Sequence, residues 1–234
     1  MDREMLLLLP LWYVVFLLSA TCHEAAHAWV ALLGGDRTAY QGGQVSLNPL
    51  PHIRREPVGT LLVPLLSYWM FASDGAGRWM MGWASAPYDP SWEERHPRRA
   101  ALMALAGPLA NVLLATIAWV VLRLGLERGV WAVPPSLEFD HLVLAPAGTV
   151  WWGIGRMCSV LLTLNLVLAI LNLLPLPPLD GSSVLAGLAP PFRALRARLL
   201  ANPLAGLVGL LVAWQVFPFV FAPVYSVVLG WLYP

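Results

Sequence analysis

Residues 5–33 read MLLLLPLWYVVFLLSATC, then His23-Glu24-Ala25-Ala26-His27, then AWVALL, and stop at Gly34-Gly35. A helix that crosses a bilayer needs about 20 apolar residues. Met5–Cys22 carries no charge, and the apolar character resumes over Ala28–Leu33. The stretch is too long for a cleaved signal peptide and has no small-residue cleavage site before its first charges. Two imidazoles and a carboxylate therefore sit inside a membrane helix. Charge at that depth costs at least a few kcal/mol, so it signals function rather than structure.

The spacing names the chemistry. Positions i and i+4 share a helix face, so His23 and His27 can hold one metal ion. Glu24, one residue on, lies beside that ion, where it can deprotonate a water. This is the H-E-x-x-H arrangement of zinc hydrolases. Two histidines leave zinc one protein ligand short. A carboxylate for that position is available in Asn172-Leu173-Leu174-Pro175-Leu176-Pro177-Pro178-Leu179-Asp180-Gly181, where three prolines break a long apolar helix. Backbone freed at membrane depth must line a cavity or be buried in protein, which leaves Asp180 able to face the metal. The alternative is that Asp180 caps a helix starting near Ser182. Between these segments, Gly107 and Pro108 suggest close helix approach and a kink. Asn111 and Asn172 are candidates for supporting a peptide substrate or an oxyanion, and Asn165 reads as helix-to-helix glue. Cys22 and Cys158 form neither a disulfide framework nor a metal-ligand pattern.

Composition agrees with a membrane class. Of the 234 residues, 59% are hydrophobic and only 12% charged, about half the charge of a soluble domain at ~25%. This excludes a nucleic-acid binder, a disordered scaffold and a secreted disulfide mini-protein. Further spans are Ala100–Leu122, anchored by Arg98-Arg99, and Met157–Leu174. From Leu199 to Pro234 there is again no charge, and Pro218 and Pro223 allow one kinked span or a hairpin. Val58–Ser73, with Pro64 inside, is too short for a comfortable span. Asp36–Pro57, centred on Gly42-Gly43, reads as a short β-hairpin. The expected fold is an all-α polytopic membrane protein. It has three core transmembrane helices, a re-entrant segment, a short β-hairpin loop and a C-terminal hydrophobic helix or hairpin. One membrane-embedded domain covers 1–234, with its core in 5–181 and a hydrophobic region in 199–234.

His23-Glu24-Ala25-Ala26-His27, the Gly107-Pro108…Asn111 segment and Asn172…Pro175…Leu179-Asp180-Gly181 resemble the three motifs of the site-2 protease family of intramembrane zinc metalloproteases. Ser46-Leu47-Asn48-Pro49, His52-Ile53, Pro57-Val58-Gly59-Thr60 and Gly82-Trp83-Ala84 resemble its compact prokaryotic branch, without PDZ or other appended domains. The chain departs from that branch after His52-Ile53, where Arg54-Arg55-Glu56-Pro57 is two residues longer, and after Ala84, where Ser85-Ala86-Pro87 replaces Lys-Pro. His52 is accordingly read as a solvated loop residue. The resemblance implies one zinc per chain held by His23, His27 and Asp180, with Glu24 as catalytic base. It also implies cleavage within or beside the membrane span of a substrate with a single transmembrane helix. The rival reading is a catalytically idle homologue, or a metal-binding membrane protein or transporter. An idle relative should have lost Glu24 or a ligand, and a transporter usually carries a repeat.

One metal needs all three ligands at one depth. The first helix and Met157–Leu174 must then run parallel, with one net crossing between them. Ala100–Leu122 supplies it, so Val58–Ser73 is expected to dip in and return, or to lie against the core as a re-entrant element. All fourteen basic residues are Arg. This topology puts Arg37, Arg54, Arg55, Arg78, Arg95, Arg98, Arg99, Arg193, Arg196 and Arg198 on the zinc side, against Arg3, Arg123, Arg128 and Arg156. Basic residues accumulate in the cytoplasm, so the expected location is a multi-pass cell-membrane protein with a cytoplasmic zinc side and an outside N-terminus.

Overall fold

A computed structural model describes residues 3–73, 78–202 and 204–233. Among them four helices are long and apolar enough to cross a membrane: α1 (Arg3–Leu33), α6 (Pro97–Glu127), α7 (Val150–Asn172) and α10 (Ala205–Leu232). Six shorter helices connect them: α2 (Thr38–Gln41), α3 (Pro49–Arg55), α4 (Val63–Ser73), α5 (Pro90–Arg95), α8 (Asp180–Leu188) and α9 (Pro190–Leu200).

The core is α1, α6 and α7. Leu8, Trp12 and Phe16 of α1 pack in one cluster with Val160 and Leu164 of α7. Farther along, Ser19 meets Asn165 and His23 meets Asp180, so α1 and α7 run parallel. His23 touches Asn111 and His27 touches Met103, so α6 runs antiparallel to α1 and makes the single net crossing between α1 and α7. The C-terminal region is one helix through Pro218 and Pro223 rather than a hairpin.

The segment after Pro57 enters and returns. Val58–Leu62 is a π-turn that leads into α4. Val63 donates to Val58, five residues back, and Pro64, having no N–H, adds nothing to the ladder, so the wider turn absorbs the proline. Residues 78–89 then run back extended along this helix. Met81 N–H donates to Ser67 at 2.9 Å, Trp83 N–H to the Gly59 carbonyl at 3.0 Å, and Ser85 Oγ–H to Glu56 at 2.6 Å. At the inner end the Tyr68 hydroxyl donates to the Met5 carbonyl. On return, Asp89 N–H donates to Asp36 Oδ2 at 2.8 Å, so the segment leaves at the end of the bundle where α1 finishes.

Three expectations need correction. The Asp36–Pro57 loop contains no β-hairpin. Gly43, at φ 72°, closes α2: its N–H donates to Tyr40 O, and Gln44 N–H donates to Ala39 O. That is a helix C-cap with a left-handed glycine. Asn48 then caps α3 by accepting from Leu50 N–H, with Pro49 at the first helical position, so the prolines start a helix where a ladder would need donors. His52 is not solvated. It is buried on α3, with Nε2 on the Ser46 carbonyl at 3.0 Å. Arg78 lies at the far end of the bundle, because it reaches Asp140 at 2.6 Å. Asp140 is buried and also pairs at 3.1 Å with Arg156, itself buried inside α7. Arg78 therefore joins Arg3, Arg123, Arg128 and Arg156, and the end carrying the zinc motif keeps the other nine arginines.

The contact between Asp36 and Asp89 fixes a testable topology. In a variant whose two native cysteines are replaced by serine, single cysteines at the exposed positions Arg37 and Glu94 should label from one face of the membrane, and one at Arg128 from the other. Labelling of positions 37 and 94 from opposite faces would contradict the returning segment.

Candidate metal centre

The site lies where α1, α6 and the start of α8 meet. His23 and His27 project from α1 ten and six residues before Leu33. At 1.5 Å per residue, His23 sits roughly 15 Å below that helix end. The two Nε2 atoms are 2.9 Å apart. Asp180 is the first residue of α8, and its Oδ2 lies 3.1 Å from His23 Nε2 and 3.3 Å from His27 Nε2. Its carboxylate faces the histidines and accepts no capping bond from its own helix. The turn of residues 173–179 that delivers it is stabilised by Gly181, where a side chain would collide with the carbonyls of Leu173 and Leu174.

The donors fit a tetrahedral metal. Ligand atoms ~2.0–2.1 Å from one ion stand roughly 3.3 Å apart, close to all three separations. His27 Nδ1 lies 2.7 Å from the Met103 carbonyl, which can only accept, so Nδ1 carries the proton and Nε2 presents a lone pair. His23 Nδ1 lies 2.5 Å from Asn111 Oδ1, and the same logic holds. Two nitrogen lone pairs and a carboxylate oxygen thus converge on one small space. A proton can lie along one of these three approaches; a metal ion satisfies all of them.

Gly107 makes the convergence possible. A Cβ built there overlaps Nε2 of both His23 and His27. Its lack of a side chain lets α6 approach the imidazoles. The sequence marks Gly107 as a glycine of close helix packing; the fold shows that it faces both imidazoles.

Glu24 is buried and lines a cavity of about 1170 Å³ that also reaches His23, His27 and Asp180. Asn172 lies half-buried on the cavity wall, and one N–H of its amide donates to the Leu168 carbonyl at 2.9 Å. Asn111 is not on that wall. It is fully buried behind His23, and its amide is occupied on both sides, by His23 and by Asn165. Its full burial keeps it off the cavity wall, where Asn172 stands. Trp214, Phe217 and Phe221 of α10 form one side of the cavity, and the extended residues 78–88 form another. Elsewhere on the cavity lining, Arg196 pairs with Glu93 at 2.9 Å beside Tyr88. Burial, and then the Glu93 charge, hold the Tyr88 phenol above its ordinary value.

The sequence profile of Peptidase family M50 matches residues 11–214, which takes in every residue of this centre. The chain belongs to peptidase family M50, the site-2 protease family. With its four apolar helices, this M50 protein is a multi-pass membrane metalloprotease. It is 33% identical over 216 residues to YwhC of Bacillus subtilis (strain 168), covering 91% of this chain and 84% of that protein. It is 33% identical over 174 residues to Rip2 of Mycolicibacterium smegmatis, covering 73% of this chain and 54% of Rip2. Both are named as zinc metalloproteases. No solved structure matches the chain.

Gly107→Ala tests the geometry of this M50 centre. The added methyl group should push α6 off the imidazoles and lower metal affinity at least ~10-fold, while overpacking costs about 1–3 kcal/mol in stability. Competition with a chromophoric chelator reads the first and thermal unfolding of the metal-free protein reads the second. Unchanged affinity would show that α6 does not set the site.

Proposed function

We propose that the protein is an intramembrane zinc endopeptidase that cuts a peptide bond within or next to the single transmembrane helix of a membrane-protein substrate. The observation that carries this reading is a carboxylate, Glu24, on a cavity wall beside three converging ligand atoms, at membrane depth. One zinc per chain would be held by His23, His27 and Asp180. Zinc bound there supplies Lewis-acid polarisation of the scissile carbonyl and lowers the pKa of a bound water to about 7.

The chain's own residues do the rest. Glu24 takes the proton of the attacking water and later returns it to the leaving nitrogen. Asn172 has a second amide N–H not used by the Leu168 carbonyl, which can reach the substrate from the wall. An intact substrate helix hides its carbonyls in its own hydrogen bonds, so it must unwind locally first. Each backbone group freed without a partner costs several kcal/mol in an apolar medium. The extended wall of residues 79–88 offers partners: among the described residues, the backbone N–H groups of Met80, Gly82 and Ala84 make no hydrogen bond. Substrate helices with Gly, Pro or Asn near the cut unwind at lower cost and should be preferred. The arginine distribution supports a cytoplasmic metal side and an outside N-terminus, because nine of the fourteen lie at that end.

The purified protein should carry close to one zinc per chain, and Asp180→Ala should lose most of it. Glu24→Gln should keep the zinc while cleavage of a transmembrane model substrate falls ~10²–10⁴-fold, the usual contribution of a positioned acid–base group. Phenanthroline should abolish cleavage and added zinc restore it. Full activity in Glu24→Gln, or after thorough metal removal, would overturn the reading.

A further inference from the structure

Behind His23 lies a line of polar side chains that crosses the three core helices. His23 Nδ1 meets Asn111 Oδ1 at 2.5 Å. Asn111 Nδ2 donates to Asn165 Oδ1 at 2.8 Å. Asn165 Nδ2 donates both to Ser19 Oγ at 2.8 Å and to the Leu161 carbonyl at 2.8 Å. Ser19 in turn donates to the Val15 carbonyl at 2.7 Å. Ser19, Asn111 and Asn165 are each 0% exposed, so these three side chains make no contact with solvent.

The line has a direction. Its far end rests on two backbone carbonyls, Val15 and Leu161, which only accept. The Leu161 carbonyl forces the NH₂ of Asn165 toward α1 and its own helix, so Asn165 Oδ1 faces Asn111. That oxygen forces the NH₂ of Asn111 toward itself and leaves Asn111 Oδ1 facing His23. The proton of His23 must then sit on Nδ1, and Nε2 is left free for the metal. Turning either amide over places donor against donor or acceptor against acceptor in a dry interior, at about 1–3 kcal/mol per unsatisfied group.

We propose that Asn165 is a positioning residue for the metal centre: through Asn111 it fixes the tautomer and ring orientation of His23, with the polarity set by helix carbonyls rather than by any group in the cavity. This rests on the metal reading given above. Neither amide touches the ion. A plain helix-to-helix role for Asn165 predicts lost stability and nothing more. The relay predicts lost metal affinity that depends on Asn111 being an amide, which has two unlike ends, rather than a carboxylate, which does not.

The test is a double-mutant cycle read by zinc affinity, with chelator competition and the ligand-field spectrum of the cobalt-substituted protein. Asn165→Leu should weaken zinc binding ~10–100-fold, the usual effect of losing an outer hydrogen-bond partner of a ligand, and should distort the cobalt spectrum. In an Asn111→Asp background either oxygen can face His23, so the same Asn165→Leu change should cost less than ~3-fold. Ser19→Ala should also cost less than ~3-fold, because the Leu161 carbonyl alone still orients Asn165. If Asn165→Leu does not fold, Asn165→Ser serves in its place, since its hydroxyl can bond the Leu161 carbonyl but is too short to reach Asn111. Equal losses in both backgrounds, or wild-type affinity in a destabilised Asn165 variant, would overturn the relay. A wild-type protein that binds no zinc would instead overturn the metalloprotease reading itself.

Discussion

Two imidazole nitrogens with their lone pairs aimed into the same space, and a carboxylate oxygen closing the third side, repel one another unless a cation lies between them. The separations of 2.9, 3.1 and 3.3 Å impose that condition in an interior that offers little dielectric relief. Much of the architecture follows from it. His23 and His27 come from α1, and Asp180 comes from the turn that follows α7 and opens α8, so α1 and α7 must be parallel and matched in depth. The chain between them can make only one net crossing. α6 makes it, and the segment from Val58 to Asp89 returns to the end at which it entered. Gly107 then permits α6 to approach the ligands, and Gly181 permits the turn that brings in Asp180.

The apolar bundle also encloses polar groups whose burial is costly without partners. Around His23 and His27 the partners are backbone carbonyls, which only accept, and amides whose orientation those carbonyls set. At the far end Asp140 is buried between Arg78 and Arg156. Two cations around one carboxylate offset a desolvation penalty that a lone buried charge could not bear, and Arg78 ties the returning segment to α7. The extended backbone of residues 78–88 is one exception to helical self-sufficiency in the membrane, beside the turn of residues 173–179. It follows the rule for such exceptions, because it lines the cavity rather than facing lipid.

Long-range structure was legible in the sequence wherever a cost had to be explained. Two histidines and a glutamate in a lipid-embedded helix, and an aspartate after a proline-broken span, have no inexpensive structural use, and the parity of crossings followed from joining them. Local structure was less legible. Gly42-Gly43 signals a left-handed turn, but a helix C-cap and a hairpin turn both use one, and Asn48-Pro49 was the better guide to what comes next. His52 looked solvated because the chain departs from the family pattern just after His52-Ile53, while its side chain is in fact buried on α3. Arg78 and Arg156 read as flanking charges, since nothing in their neighbourhood announces Asp140 as a shared partner more than sixty residues from one and sixteen from the other. Asn165 looked like ordinary helix glue because its significance lies two hydrogen bonds away, at His23.

X-ray absorption at the zinc edge of the purified wild-type protein tests the centre most directly. The account predicts a first shell of nitrogen and oxygen only, near ~2.0–2.1 Å, with the outer-shell scattering of two imidazoles and no sulfur. A sulfur shell near ~2.3 Å, scattering from a single imidazole, or a protein that retains no metal through purification would contradict it.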